Sequence, residues 1–320
     1  MSQSLRIVFF GNEHLATGVE SQPLLFEALL KSRHQVLALV VHSSEQTSRK
    51  EKREPILELA KAHNIPVLNP GKTIEVLDEL STLKADCGVL AAYGKMVPQE
   101  VIDIFPRGII NLHPSALPKL RGSTPIESAL LEGLTETAIS VMKLVKQMDG
   151  GPVYAQKTVK IDNCMAKHDL ANRLHDAGRN ELLTVLDNLE KFEKDLKEQD
   201  ETNATFCTLI SKKDGQIDWN KPAAVIEREV RAYAGWPKSQ TLIGDINLVI
   251  NSTDVSDGWG APAGTIAVEF TTSTLLIQCK NSSIKVLSLV PAGKNQMPIK
   301  DFLNGYEQKL LQVEQLEVRS

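Results

Sequence analysis

The chain has 320 residues, 42% of them hydrophobic and 24% charged, with a formal net charge of −4. That balance builds one large globular domain or two ordinary ones, and it excludes a disordered, collagenous or coiled-coil chain. It also excludes a polybasic nucleic-acid binder, so any contact with nucleic acid has to come from a local basic patch.

Leu5 to Phe10 (LRIVFF) is a continuous apolar run ending at Gly11, the pattern of a strand buried on both faces. Pro23 to Arg33 has helical spacing with proline near its start, and Gln35 to Val41 (QVLALVV) is a second buried strand. Further on, Pro55 to His63 predicts a helix, Ile65 to Leu68 a short strand and Ile74 to Leu83 a helix. Cys87 to Tyr93 is another buried strand, and Ile109 to Leu112 opens the next. Pro125 to Leu134 predicts a helix, Thr137 to Val145 a strand, Tyr154 to Ile161 an antiparallel strand, and His168 to Phe192 a long amphipathic helix. Strands alternating with helices argue for an α/β fold with an open, mostly parallel, Rossmann-like sheet.

The grammar then changes. Asp187 to Glu201 holds seven acidic and three basic residues and little to bury, so it predicts a frayed helix end and a solvated linker. Beyond it come a helix at Ala223 to Tyr233, five short β-like runs between Gln240 and Leu289, and a helix at Ile299 to Tyr306. Short strands separated by Gly, Asp and Asn turns suggest a small OB-like β-barrel. The expected division is a first domain over 1–190, a linker over 191–207 and a second domain over 208–320.

The four cysteines, at 87, 164, 207 and 279, form no C-x-x-C. Neither a zinc ribbon nor a small disulfide scaffold fits, and scattered reduced thiols suit the cytoplasm. The apolar run near the start is too short for a signal segment or a membrane span. Glycine-rich phosphate loops, G-x-S-x-G and H-E-x-x-H are missing as well.

Chemistry concentrates in Ile109 to Pro125 (IINLHPSALPKLRGSTP). Asn111 and His113 stand two apart on a strand and share a face, at the carboxyl end where open α/β sheets bind ligands. An amide can donate to an oxyanion, and an imidazole can act as a base near neutral pH. Arg121, in the loop shaped by Pro118 and Gly122, offers a fixed positive charge. A second cluster, Gln147 to Val153 (QMDGGPV), places Asp149 before two glycines at the end of another strand. Alone it reads as an ordinary Asp-Gly turn. Beside Asn111 and His113, Asp149 is a candidate to orient the imidazole and stabilise its protonated form.

Three stretches together, Asn111-Leu112-His113-Pro114-Ser115-Ala116-Leu117-Pro118, Arg121-Gly122-Ser123-Thr124-Pro125-Ile126 and Met148-Asp149-Gly150-Gly151, resemble the 10-formyltetrahydrofolate-dependent formyltransferases. Leu90-Ala91-Ala92-Tyr93-Gly94, with Pro98, resembles the strand and loop beside that family's folate pocket. The second half resembles the barrel carried by members acting on methionyl-initiator tRNA, through Ile210 to Trp219, Arg231 to Pro237, Pro262 to Ile266 and Leu289 to Lys294. The sequence departs from the family at Pro114, at Ala116, at Gly150-Gly151-Pro152 and in a longer first loop over Gly11 to Pro23.

The resemblance implies a catalytic, folate-binding domain over 1–190 and a tRNA-binding barrel over 208–320. It implies formyl transfer from 10-formyltetrahydrofolate, as co-substrate, to the α-amino group of methionyl-initiator tRNA, with Asn111, His113 and Asp149 as catalytic residues. Ser115, Ala116, Leu117, Pro118, Tyr93 and Gly94 are expected at the folate. Residues 208–320 hold twelve Lys/Arg and twelve Asp/Glu, so the basic patch falls instead on Arg49, Lys50, Lys52 and Arg53 of the first domain. A cytoplasmic, monomeric enzyme with no metal and no membrane contact is expected. Rival readings are the same chemistry on a nucleotide-linked amino sugar, hydrolysis of the formyl-folate, or a non-catalytic folate- or nucleotide-binding protein.

Overall fold

The structure, a computed structural model, describes residues 4–19, 22–42, 54–313 and 316–318. It divides into two compact units. The first comprises Met1–Ala129, Thr135–Asp162 and His168–Thr208, and the second Leu130–Leu134, Asn163–Lys167 and Leu209–Ser320.

The first unit is built on β1 (Arg6–Phe10), β2 (Gln35–Val40), β3 (Val67–Leu68), β4 (Cys87–Leu90), β5 (Ile109–His113), β6 (Glu136–Lys143) and β7 (Val153–Lys160). They form one sheet in the order β3-β2-β1-β4-β5-β6-β7. The first five run parallel, whereas β6 pairs antiparallel with both β5 and β7. The continuous apolar runs are thereby explained. β1, β4 and β5 lie inside the sheet, where both faces are covered and side chains of either parity are buried. β7 at the edge is mostly exposed instead, with Tyr154 its one buried residue. On one face Phe10 meets Tyr93 and Phe105 edge-on, with ring centroids 5.7 and 6.0 Å apart.

The helices of this unit are α1 (Leu24–Lys31), α2 (Pro55–Ala62), α3 (Leu77–Thr82), α4 (Gln99–Asp103), α5 (Pro125–Leu131), α6 (Lys167–Asp187) and α7 (Leu189–Lys194). The long amphipathic pattern is thus two helices. Asn188 leaves helical geometry between them (φ −129°, ψ 29°), and its side-chain amide donates to the Thr184 carbonyl.

The long first loop has a specific use. Helix α1 lacks a side-chain cap of its own. Glu13, fully buried in that loop, supplies one, its two carboxylate oxygens accepting from the backbone N–H groups of Leu25 (2.9 Å) and Phe26 (2.7 Å). His175 of α6, also buried, approaches the same carboxylate with Nε2 at 2.5 Å.

The charge-rich stretch after α7 is not loose. Lys197 bridges to Val153 and Phe206 bridges to Arg121, so the backbone of residues 197–207 is paired against the first unit while its acidic side chains face solvent. Charge density identified the exposed side chains but says nothing of what the backbone does.

The second unit carries α8 (Ala223–Ala232), β8 (Ser239–Ile243), β9 (Ile246–Ser256), β10 (Ile266–Glu269), β11 (Thr274–Gln278), β12 (Ser283–Pro291), β13 (Met297–Pro298), α9 (Ile299–Leu310) and β14 (Leu316–Val318). The expected barrel strands are found in a seven-stranded sheet, β14-β10-β11-β12-β9-β8 with β13 beside β12. Its core gathers Ile226 and Val230 from α8, Leu248, Ile277, Ile284 and Leu289 from the sheet, and Phe302 from α9. No described helix is long and apolar enough to cross a membrane.

Candidate active site

Strand β5 is buried along its whole length, and it delivers Asn111 and His113 to the carboxyl end of the parallel sheet. Asn111 is registered against Met142 and His113 against Ser140 of β6. Asn111 is 6% exposed, and its side-chain amide makes no hydrogen bond among the described residues. An amide without a protein partner at a strand end can donate to a ligand oxygen.

His113 is anchored on both edges. Nε2 stands 2.9 Å from the Leu120 carbonyl, which can only accept, so Nε2 carries the hydrogen. Nδ1 stands 3.6 Å from Oδ2 of Asp149. That is too long for a direct hydrogen bond. The sequence pairing of His113 with Asp149 is therefore found, with one difference. The nitrogen away from Asp149 is bound by backbone, so the edge without a direct hydrogen bond is the one between Nδ1 and the carboxylate.

Asp149 sits in the left-handed region (φ 47°), uncommon for a residue with a side chain. Its Oδ2 accepts from the backbone N–H of Gly122 at 2.8 Å. Gly122 has φ 114°, which a β-carbon would strain. Two residues beyond Asp149, a β-carbon on Gly151 would fall 1.9 Å from the Lys143 carbonyl, so only glycine fits there. The two glycines thus let the turn close tightly enough to aim the carboxylate at β5.

Arg121 is not a free charge for a ligand. It is fully buried, with Nε and Nη2 on Oε1 of Gln199 (3.1 and 2.9 Å) and Nη1 and Nη2 on the Glu201 carboxylate (3.0 and 2.7 Å). A guanidinium with no remaining open face is structural. Neither Gln199 nor Glu201 stood out in the sequence, because both lie in the charge run that resembles a solvated linker. Their signal is the spacing of polar residues opposite a buried arginine, which is visible only in three dimensions.

The residues expected at the folate divide. Ser115 is fully buried and its hydroxyl donates to the Lys119 carbonyl at 2.6 Å, while Tyr93 is buried with its hydroxyl 3.1 Å from Thr73 Oγ1. Burial pushes the Tyr93 phenol above its ordinary range. Both hydroxyls are therefore committed within the protein. Leu117 is buried, its N–H directed at Ser140 Oγ (3.4 Å) and its carbonyl accepting from Gln156 (2.7 Å). Ala116 and Pro118 are half-buried, and Gly94 is exposed with open space where a β-carbon would stand. Arg49, Lys50, Lys52 and Arg53 lie outside the described residues. No cluster of three or more His, Cys, Asp or Glu suited to a metal occurs among the described residues.

An unpaired amide and an imidazole–carboxylate pair at the end of an open α/β sheet are groups able to stabilise an oxyanion and to take a proton, the two needs of acyl-type transfer. The chain belongs to the formyl transferase family, whose model matches residues 5–186, with the family's C-terminal domain matched over residues 209–307. Similar proteins named methionyl-tRNA formyltransferase include that of Chloroflexus aurantiacus, 33% identical over 94% of this chain and 97% of its own length. That of Staphylococcus epidermidis is 32% identical over 96% and 98%. Among solved structures, an N-formyltransferase of Helicobacter canadensis, in complex with folinic acid and dTDP-3-aminofucose, superimposes with a TM-score of 0.65 at 16% identity, covering 89% of this chain and 99% of that one. HypX of Aquifex aeolicus in complex with tetrahydrofolic acid gives 0.64 at 17% identity, covering 99% of this chain and 49% of that one. At such identities these two structures share the fold.

Proposed function

We propose that this chain transfers the formyl group of 10-formyltetrahydrofolate to the α-amino group of methionyl-initiator tRNA, with Asn111, His113 and Asp149 as the reacting constellation. The observation that carries the chemistry is the unpaired Asn111 amide beside the His113–Asp149 pair. The acceptor reading rests on kinship to methionyl-tRNA formyltransferases along nearly the full length of both chains.

The acceptor amine nitrogen attacks the formyl carbon, whose oxygen gains negative charge. Asn111 donates to that oxygen, a contribution worth about 10²–10³ in rate when one such donor is lost. The attacking nitrogen must shed a proton, and N10 of the folate must gain one as its bond to the formyl carbon breaks. The edge between His113 Nδ1 and Asp149 is the place for that proton, because Nε2 is held by the Leu120 carbonyl. With the hydroxyls of Tyr93 and Ser115 committed elsewhere, folate contact falls to the apolar surface of Ala116 and Pro118 and to exposed backbone at Gly94. Leu117 serves from beneath as a buried wall.

The patch Arg49, Lys50, Lys52 and Arg53 is the proposed contact for tRNA phosphates. The test is transfer from labelled 10-formyltetrahydrofolate to charged initiator and elongator methionyl-tRNA, run over a salt series. Label on the initiator alone, with a steep salt dependence that flattens when the four charges are neutralised, supports the whole reading. Label on neither acceptor rejects the tRNA assignment and directs attention to amino sugars and water.

A further inference from the structure

The reacting pair is held by a segment that contains none of the proposed catalytic residues. Gln199 donates through Nε2 to two carbonyls of the catalytic turn, Asp149 and Gly151, both at 2.7 Å. Its Oε1 accepts twice from the buried Arg121. One side-chain amide thus uses both donors on the turn and its acceptor on the loop that follows β5. The same segment reaches the histidine side. Thr205 Oγ1 accepts from the N–H of Leu120 at 2.9 Å, the Thr205 carbonyl accepts from the N–H of Arg121 at 2.9 Å, and the N–H of Cys207 donates to the Arg121 carbonyl at 2.8 Å. Leu120, pinned in this way with φ 57°, is the residue whose carbonyl fixes His113.

The pair therefore depends on two loops, the turn that carries Asp149 and the loop after β5 whose Leu120 carbonyl holds His113, and residues 199–207 tie those loops together. The need is physical. Asp149 occupies a left-handed conformation, and 3.6 Å from Nδ1 is a separation that a small rotation would change. A misplacement of about 1 Å in a reacting constellation can cost about a hundredfold in rate. Gln199 never faces the reacting atoms. Its contacts are to backbone carbonyls and to Arg121, so it acts through Asp149.

We propose that Gln199 is a positioning residue for formyl transfer, fixing the Asp149 turn against His113 by bridging it to Arg121. The proposal rests on the assignment of Asp149 and His113 to the chemistry. The experiment compares Gln199→Ala and Gln199→Glu, alone and combined with Asp149→Asn, in the full chain, with active molecules counted by titration with folate. Glutamate keeps the length and the acceptor toward Arg121 and loses both donors to the turn.

The expected result is a kcat lower by roughly tenfold to a hundredfold in both single variants, with KM for each substrate within about twofold. In the Asp149→Asn background the further loss should shrink to less than about twofold, because the group being positioned is already altered. Undiminished kcat in either single variant, a full additional loss on top of Asp149→Asn, or loss of folate binding in both single variants would each overturn it. Wild-type transfer to methionyl-tRNA is measured first. Should that acceptor fail, the rate of formyl release to water is read on the same variants, so a wrong acceptor and a wrong positioning role give different results.

Discussion

Two of the imidazole–carboxylate pairs in the first unit are made of the same chemical groups and are opposite in design. Glu13 and His175 are sealed, 0% and 2% exposed, with the ring nitrogen 2.5 Å from an oxygen and both carboxylate oxygens accepting from the start of α1. Asp149 and His113 stand 3.6 Å apart at a strand end, and the Asp149 side chain is 16% exposed. In the first pair both carboxylate oxygens are taken up by the protein, and the pair fastens the long first loop to α1 and α6. The second is supported from behind, by Leu120 on the ring and Gly122 on the carboxylate, and keeps its facing edge open. A carboxylate beside a histidine is thus no sign of catalysis by itself. The distinguishing mark is capacity left unused, here together with the unpaired amide of Asn111.

The comparison is broken most forcefully at the sealed pair. Glu13→Ala should lower unfolding free energy by about 3–5 kcal/mol, the cost of removing one partner of a buried pair, measured by urea denaturation. A loss under about 1 kcal/mol would deny the pair its structural role. Next comes Asn111→Ala, expected to lower kcat about 10²–10³-fold while the urea midpoint moves little, so the two sites separate stability from rate. Near-normal turnover in a folded variant would remove Asn111 from the chemistry. Asp149→Glu sharpens the contrast further. It keeps the charge and lengthens the arm, so the open pair can close on itself, and a fall in kcat of up to about a hundredfold is expected although no charge is lost. Retained activity would mean that the separation is unimportant.

The smallest effect concerns a third pair. His34 has a fully buried side chain, with Nδ1 accepting from the N–H of Leu5 at 3.1 Å and Nε2 3.3 Å from Asp187. Burial lowers its pKa, outweighing the attraction of Asp187. The unfolded chain therefore binds a proton more readily than the folded one. Stability from this group is present above the unfolded histidine pKa of about 6.5 and declines as pH falls through the window below it. Urea midpoints should drop between neutral and mildly acid pH, and His34→Gln should reduce that drop. An unaltered pH slope would show that the protonation of His34 is not linked to folding.

Much of this was legible in the residues. LRIVFF and QVLALVV announce adjacent buried strands because a parallel sheet covered on both faces demands apolar side chains of both parities. Asn111 and His113 on one strand, with Asp149 brought to His113, could be read because period-two geometry and tight turns are local properties. What was not legible is long-range. Arg121 reads as an available charge until Gln199 and Glu201 are seen to enclose it. His175 reads as one more polar residue in a helix until Glu13, 162 positions away, is found against it. Tyr93 and Ser115 were expected at the folate, but their hydroxyls already have protein partners. Satisfaction of a polar group is a tertiary property, and local pattern cannot report it.

The bridge through Gln199 has a bearing on how the protein comes into being. A growing chain emerges from its amino terminus, and Asn111, His113 and Asp149 are all made well before the segment that joins their loops. A nascent chain of about 190 residues would own every proposed reacting group and still lack the contacts that align them. Residues 199–207 are close to the last part of the first unit to be synthesised, so alignment of the site coincides with completion of that unit. On the proposed role of Gln199, the reacting groups of an incomplete first unit would stand unaligned.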